Sequence, residues 1–140
     1  MSAEIKLIKG RRVWDSRGRP TVESEVHLSD GAIGRAIAPA GASTGSAEAV
    51  DKRDGGEAFG GLDVREAVNA VSGEISNNLQ GRDPFDQADV DQAMIELDGT
   101  SNKNRLGGNA LVATSMAVAH AAAASAGLPL WRFLGGDRDA

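Results

Sequence analysis

The 140-residue sequence contains no cysteine and no tyrosine, and aromatic residues make up only 4% of it. Without cysteine, disulfide frameworks, thiolate metal sites and cysteine nucleophiles are excluded. The scarcity of aromatic rings argues against a large flat binding surface built on tyrosine and tryptophan. What is present is 41% hydrophobic and 25% charged residues, a balance typical of a folded globular domain.

Clustered positive charge and long apolar runs are also missing. The net charge is −5 and the only basic run, residues 9–12, is short, so a nucleic-acid partner is not expected. The most apolar stretch, residues 110–130, is rich in alanine and is interrupted by Thr114, Ser115 and His120. This composition predicts a buried helix and not a membrane span, so no membrane partner is expected.

The first forty residues have the pattern of strands. Residues 21–28 alternate, with Val22, Val26 and Leu28 among the residues of one face and charged residues on the other. An earlier strand is predicted over 5–14 and a return strand over 32–39, joined by turns at 15–20 and 29–31. Together these segments predict a three-stranded antiparallel meander.

From residue 62 the apolar spacing becomes helical. Helices are predicted from about 62 to 81, over 86–97, over 108–126 and over 131–134. Asp63 and Glu66 have the spacing of a capping box for the first of them. Strands followed by about four helices predict an α+β domain with helices on one sheet face. We expect the domain to cover 1–134 and residues 135–140 to begin a linker.

The segment PAGASTG, residues 39–45, is uncharged and made of small residues and hydroxyls. It is compatible with a plain turn, or with a mobile lid that closes over an anion or a metal. Its glycine spacing does not fit a Walker phosphate loop. In the charged stretch that follows, Glu48, Arg53 and Asp54 are candidates to anchor its base by salt bridges.

Other local patterns are weaker. Residues 98–104 resemble a calcium loop but have Lys103 where that loop needs glycine, so a structural turn is favoured. Asp86, Asp89 and Asp91 are interpreted as a solvated helix start. His27 and His120 have no partner motif and are interpreted as structural or surface residues. Read from local patterns alone, the sequence contains no complete catalytic constellation.

Four longer stretches resemble the N-terminal domain of enolase (phosphopyruvate hydratase): residues 13–26, 39–54, 97–123 and 127–136. Within them lie DSRG-x-PTVE, GASTG-x-x-EA and LDGT-x-NK-x-x-LG-x-NA, in the family's order and spacing. The resemblance covers nearly the whole chain. It implies that the enolase N-terminal fold is present.

The resemblance also implies functional roles. In enolases the loop like residues 40–46 closes over the active site, so Gly41, Ala42, Ser43 and Thr44 are expected to face substrate. The serine at the position of Ser43 binds the second of two Mg²⁺ ions, and Arg17 resembles a residue that contacts the partner subunit. The family interconverts 2-phosphoglycerate and phosphoenolpyruvate in glycolysis. We therefore expect a cytoplasmic, magnesium-dependent homo-oligomer, a dimer or an octamer.

The same resemblance implies that the family's base, acid and three carboxylate metal ligands lie in a C-terminal barrel, so the 140 residues alone are expected to be inactive. Enolases usually have serine at the position of Ala40, asparagine at Arg19 and alanine at Gly108, with Lys-Gly common at 62–63. Two alternatives therefore stay open: a diverged lyase of the superfamily acting on another acid, and a free-standing interaction domain.

Overall fold

The computed structural model describes residues 3–39 and 51–135. Its fold begins with three antiparallel strands. Strand β1 spans Ile5–Trp14, β2 Pro20–Leu28 and β3 Ile33–Ile37. The sheet order is β1-β2-β3, so the predicted meander is confirmed. A register shift between Ile5 and Leu7 lets Ile5 and Ile8, three residues apart, both face the core at 1% and 2% exposure.

The helices follow in sequence. A 3₁₀ turn at Ala58–Gly61 precedes one continuous helix, made of α1 (Arg65–Ala70), a π-helical turn (Val71–Ile75) and α2 (Ser76–Leu79). Then come three more helices: α3 (Gln87–Asp98), α4 (Gly108–Ala126) and α5 (Leu130–Gly135). In the described ranges the predicted α+β arrangement with about four helices is therefore confirmed. The 3₁₀ turn was not predicted.

Helix α4 is the centre of the core and packs on β2 and β3. Its alanines at 110, 113, 117 and 121 are fully buried. Because these side chains are small, the helix backbone approaches the sheet closely, and Gly34 of β3 lies against Ala117 and Ala121. The first helix instead packs on β1. Together they cover one face of the sheet, as predicted.

The start of the first helix corrects a sequence prediction. Asp63 and Glu66 do not form a capping box, because the helix begins at Arg65 and Asp63 Oδ1 accepts from the Val64 amide. The carboxylate of Asp54 accepts from the amides of Arg65 and Glu66 at 2.8 and 2.9 Å. The helix is therefore capped from eleven residues upstream, a distance that short capping patterns do not cover.

Candidate functional site

The small-residue segment falls almost entirely outside the described residues. Gly41, Ala42, Ser43 and Thr44 lie there, as do Ala40 and Glu48. Their predicted roles stay predictions. What the structure describes is the chain on either side of the segment and the residues that hold it.

The chain that enters the segment is fixed to β2. Strand β3 ends at Ile37, and the next amide, that of Ala38, donates to the carbonyl of Val22 at 2.8 Å. The hydroxyl of Thr21 donates to the carbonyl of Ala38 at 2.9 Å. Thr21 and Ala38 are each 2% exposed. This backbone position is therefore held by two buried hydrogen bonds.

The chain that leaves the segment is fixed to the start of α4. The amide of Lys52 donates to Asn109 Oδ1 at 2.9 Å, and Asn109 Nδ2 donates to the carbonyl of Lys52 at 3.1 Å. Asn109 is 3% exposed. Gly107 lies against Lys52 and has a φ of +104°. A β-carbon on Gly107 would stand 2.9 Å from the Lys52 nitrogen. Only glycine fits this approach without strain.

Arg53 and Asp54 hold the chain that follows the small-residue segment. They do so mainly through backbone atoms, whereas salt bridges were predicted. The guanidinium of Arg53 donates to the carbonyls of Pro20 at 2.5 Å and Leu62 at 2.7 Å. Asp54 binds the first amides of α1, as described above. Arg53 also lies 3.9 Å from the Asp51 carboxylate. Backbone partners fix position more tightly than exposed ion pairs do.

The β1–β2 turn places Arg17 at the surface. The Asp15 amide donates to the Arg19 carbonyl, and Asp15 Oδ1 accepts from the amides of Arg17 and Arg19 at 2.8 and 2.9 Å. The hydrogen bond from the Arg19 amide, with that from Arg17, lowers the pKa of Asp15. Arg17 keeps 39% of its side chain exposed. The turn uses only backbone atoms of Arg19, so the asparagine usual at this position is not needed to form it.

Comparison with known proteins identifies the family of this chain. The sequence profile of the family described as "Enolase, N-terminal domain" matches residues 5–134. The chain belongs to the enolase family, through its N-terminal domain. It is 56% identical over 136 residues to "Enolase 1" of Lactococcus lactis subsp. cremoris, covering 97% of this chain and 32% of that protein. It is 58% identical over 132 residues to "Enolase" of Lactobacillus delbrueckii subsp. bulgaricus, covering 94% and 31%.

A third relative, "Enolase" of Acidothermus cellulolyticus, is 57% identical over 134 residues, which are 96% of this chain and 31% of that protein. The chain thus spans about a third of the length of the curated relatives it matches. The family match agrees with the resemblance expected from the sequence motifs. The activity, substrate and assembly of these relatives are therefore properties of proteins about three times as long as this chain.

The enolase N-terminal domain carries an ionic network that sequence reasoning missed. On the sheet face opposite the helices, the Glu25 carboxylate lies 2.6 Å from Arg35 Nε, 3.1 Å from an Arg11 nitrogen and 2.6 Å from His27 Nε2. Hydrogen bonds from His27, Arg35 and Arg11 lower the pKa of Glu25 from 4.5 to about 2. His27 lies within this network, which agrees with its interpretation as a structural or surface residue. The signal in the sequence was that Glu23, Glu25 and His27 occupy alternate positions of β2 and so share one face of the sheet.

A second missed feature flanks the β1–β2 turn. The Arg12 guanidinium lies 5.3 Å from the ring centre of Trp14 and 5.1 Å from that of Phe59, and one of its nitrogens is 3.1 Å from both Asp63 oxygens. The two rings pack edge to face at 5.1 Å. They remain about half exposed, at 51% and 48%. The cation therefore binds a 3₁₀ turn to the end of β1.

Within 3–39 and 51–135, no three His, Cys, Asp or Glu residues cluster in a way that could hold an ion. The described residues thus contain no such cluster, and Ser43, the predicted magnesium ligand, lies outside them. None of the described helices is both long enough and apolar enough to cross a membrane.

Proposed function

We propose that this chain is the lid-bearing N-terminal domain of a magnesium-dependent enolase that interconverts 2-phosphoglycerate and phosphoenolpyruvate in the cytoplasm. The observation that carries the proposal is identity of 54–58% to proteins named enolase over nearly the whole chain. Such identity spans the segment that contains Ser43 and both stretches that fix its ends. The longer relatives supply the reason to expect a further, barrel-forming part.

In this proposal Ser43 contributes an oxygen ligand to the second Mg²⁺, while Gly41, Ala42 and Thr44 bring the backbone close to substrate. Small residues permit that approach, and hard oxygen atoms suit Mg²⁺. Bound magnesium would supply positive charge that stabilises negative charge developing on the substrate carboxylate. The segment's own task is to exclude water from the site.

Arg17 has a separate proposed role, in a homo-oligomer. It lies on a turn held by Asp15, and its guanidinium, 39% exposed, lies 3.5 Å from the Asp15 carboxylate, so its side chain is partly ordered before a partner binds. A partner subunit's carboxylate is the chemistry it would bind. Whether the oligomer is a dimer or an octamer is a matter for sedimentation of the full-length protein.

The test of the metal role is Ser43→Ala in the full-length protein. We expect turnover to fall and the Mg²⁺ concentration for half-maximal activity to rise by about tenfold or more, since ligand-orienting groups alone are worth that much. Ser101→Ala is the matched control, because Ser101 is an exposed loop residue. Unchanged magnesium dependence in Ser43→Ala would remove the role proposed for Ser43.

Of the two alternatives, neither gains support from a particular observation. The β1–β2 turn uses the backbone of Arg19 and not its side chain. Arginine in place of the family's usual asparagine therefore gives no reason to propose a different substrate. The free-standing alternative is tested by the size of the protein in its source cells. An antibody against this domain should detect a polypeptide about three times as long as this chain, since the chain covers 32% of its relative.

A further inference from the structure

The α3–α4 groove, lined mainly by Met94, Ile95, Leu111 and Val112, exposes apolar surface between two packed helices. Met94 and Leu111 are buried, whereas Ile95 and Val112 each keep 42% of their surface exposed. Met116, one turn along α4 from Val112, is 42% exposed as well. Large apolar side chains left this exposed side by side, with polar residues around them, mark a surface that binds another surface.

The rim of the groove is polar. Toward the start of α3, Asp91 Oδ1 accepts from Ser115 Oγ at 2.7 Å and from Gln87 Nε2 at 2.9 Å. In the loop between α3 and α4, Lys103 Nζ donates to the carbonyl of Thr100 at 3.0 Å. These rim groups thus bond to one another or to the backbone, and the groove itself offers apolar contact. An apolar centre with a polar rim is the usual anatomy of a protein–protein interface.

The size of the groove decides between two kinds of occupant. The groove holds about 220 Å³. Pockets for drug-sized molecules are larger, about 300–1,000 Å³, and need several polar groups that converge on the ligand. An apolar side chain presented by a protein surface fits the α3–α4 groove better, in the way that interface anchors fill small pockets.

The remaining part of a longer polypeptide is the protein surface that the comparisons supply. The chain covers 32% of one enolase relative and 31% of another. Helix α5 also leaves Trp131 and Leu134 largely exposed. Its Phe133 packs on Phe85, two residues before α3, with ring centres 6.2 Å apart. Helix α5 therefore lies near the Asp91 end of the groove, and the two exposed apolar areas belong to one helical layer.

We propose that the α3–α4 groove is an intramolecular docking surface: in the full-length protein, polypeptide beyond these 140 residues covers it and inserts an apolar side chain beside Ile95 and Val112. The inference rests on the proposed function, in which this domain is one part of a longer enzyme, and deepens it by naming a surface that joins the parts. Removal of this apolar surface from water supplies the driving force.

Reporter thiols test whether the groove is covered, because the 140 residues contain no cysteine. Val112→Cys and Met116→Cys place a thiol in or beside the groove, and Ala124→Cys is the matched control at an exposed position of the same helix. Each alkylation rate by iodoacetamide in the native full-length protein is divided by the rate of the same thiol in urea. We expect this ratio to be about tenfold or more lower for the two groove thiols than for the control, since thiol modification follows exposure.

A cross-link identifies the occupant. Glu96→Cys, at the exposed neighbour of Ile95, is coupled to a benzophenone maleimide in the purified full-length protein and irradiated. We expect products with the mass of one polypeptide, in which mass spectrometry finds the cross-link to a residue beyond the 140. Products of twice that mass would make a second copy the occupant. Slow alkylation that requires added cell extract would make it a separate protein. Either result overturns the proposal.

The proposed function can fail separately, because neither measurement needs activity. A full-length protein that protects the groove thiols but does not turn over 2-phosphoglycerate would keep the docking surface and lose the activity assignment. In an active enzyme, alkylation of Val112→Cys and Met116→Cys at the rate of the control would overturn the docking surface alone.

Discussion

Gly34 shows how much of this fold depends on one missing side chain. Its backbone lies directly against Ala117 and Ala121 of α4, and any β-carbon there would collide with main-chain atoms of that helix. Main chain cannot move aside as a flexible side chain can, so the helix would have to shift. We expect Gly34→Ala to lower the free energy of unfolding by about 3 kcal/mol, measured by urea denaturation.

Gly73 provides the control for that substitution. It lies in the π-helical turn, and no atom beyond its own helix backbone and chain neighbours stands within 4 Å of where its β-carbon would be. Alanine there restricts the unfolded chain at no steric cost, so Gly73→Ala should stabilise the protein by about 0.5–1 kcal/mol. If both glycine variants changed stability by the same amount, close helix–sheet contact would not explain the requirement at Gly34.

Glu25 gives the domain a predictable response to acid. Its pKa is about 2 in the folded protein against 4.5 for the ordinary group, because His27, Arg35 and Arg11 bind the charged form. A folded pKa below the unfolded one means that the unfolded state binds more protons in this interval. The stabilisation is therefore complete above pH 4.5 and is lost as the pH falls toward about 2.

The measurement is urea denaturation at a series of pH values from about 5 to about 2. Glu25→Gln should be less stable than the parent at the upper end, and its stability should fall less steeply toward the lower end. The remaining slope then belongs to other carboxylates, such as Asp15. Parallel curves for the two proteins would show that the Glu25 network does not contribute to the acid response.

At the scale of elements, backbone amides on the outer edge of β1 find hydrogen-bond acceptors on the helix that packs on this strand. The amide of Ile8 donates to Ser76 Oγ at 2.9 Å and that of Gly10 to Ser72 Oγ at 2.8 Å. Two residues along a strand and four along a helix cover similar lengths, about 6–7 Å, so the spacings match. The edge strand thus gains partners without another strand.

This match predicts unequal effects of two serine substitutions. Ser76→Ala leaves the Ile8 amide buried without a partner and should cost about 1–3 kcal/mol. Ser72 is exposed, so water can replace its hydroxyl and Ser72→Ala should cost less than about 0.5 kcal/mol. Thermal unfolding of the two variants would compare them, and equal losses would argue against a burial effect at the strand edge.

The elements also show what the sequence could reveal. Period-two alternation predicted β2 within one residue, and helical spacing with a following glycine predicted α4 over 108–126, because both signals are local. β3 is shorter than predicted, since chain after Ile37 pairs only through Ala38. Asn109 could not be assigned to Lys52, since their contact joins residues 57 positions apart. Long-range side-chain contacts leave no periodic trace in the sequence.

At the scale of the whole molecule, the described residues have a core of their own but contain no cluster of metal-binding side chains. The buried hydrophobic residues come from all three strands and from helices α1 to α4, so the core does not depend on further chain. In contrast, Trp131 and Leu134 of α5 are 60% and 62% exposed. Folding and catalysis should therefore be separable in this protein.

The separation can be measured by expressing the 140 residues alone beside the full-length protein. We expect the short chain to melt in one cooperative transition, because a contiguous core unfolds as a unit. We expect no dehydration of 2-phosphoglycerate from it, since the role proposed for Ser43 would give a single metal ligand and the described residues provide no cluster to complete the site. The full-length protein, assayed under the same magnesium concentration, is the positive control. Turnover by the short chain would mean that its own residues contain the base and acid, and the proposed division between lid domain and barrel would have to be abandoned.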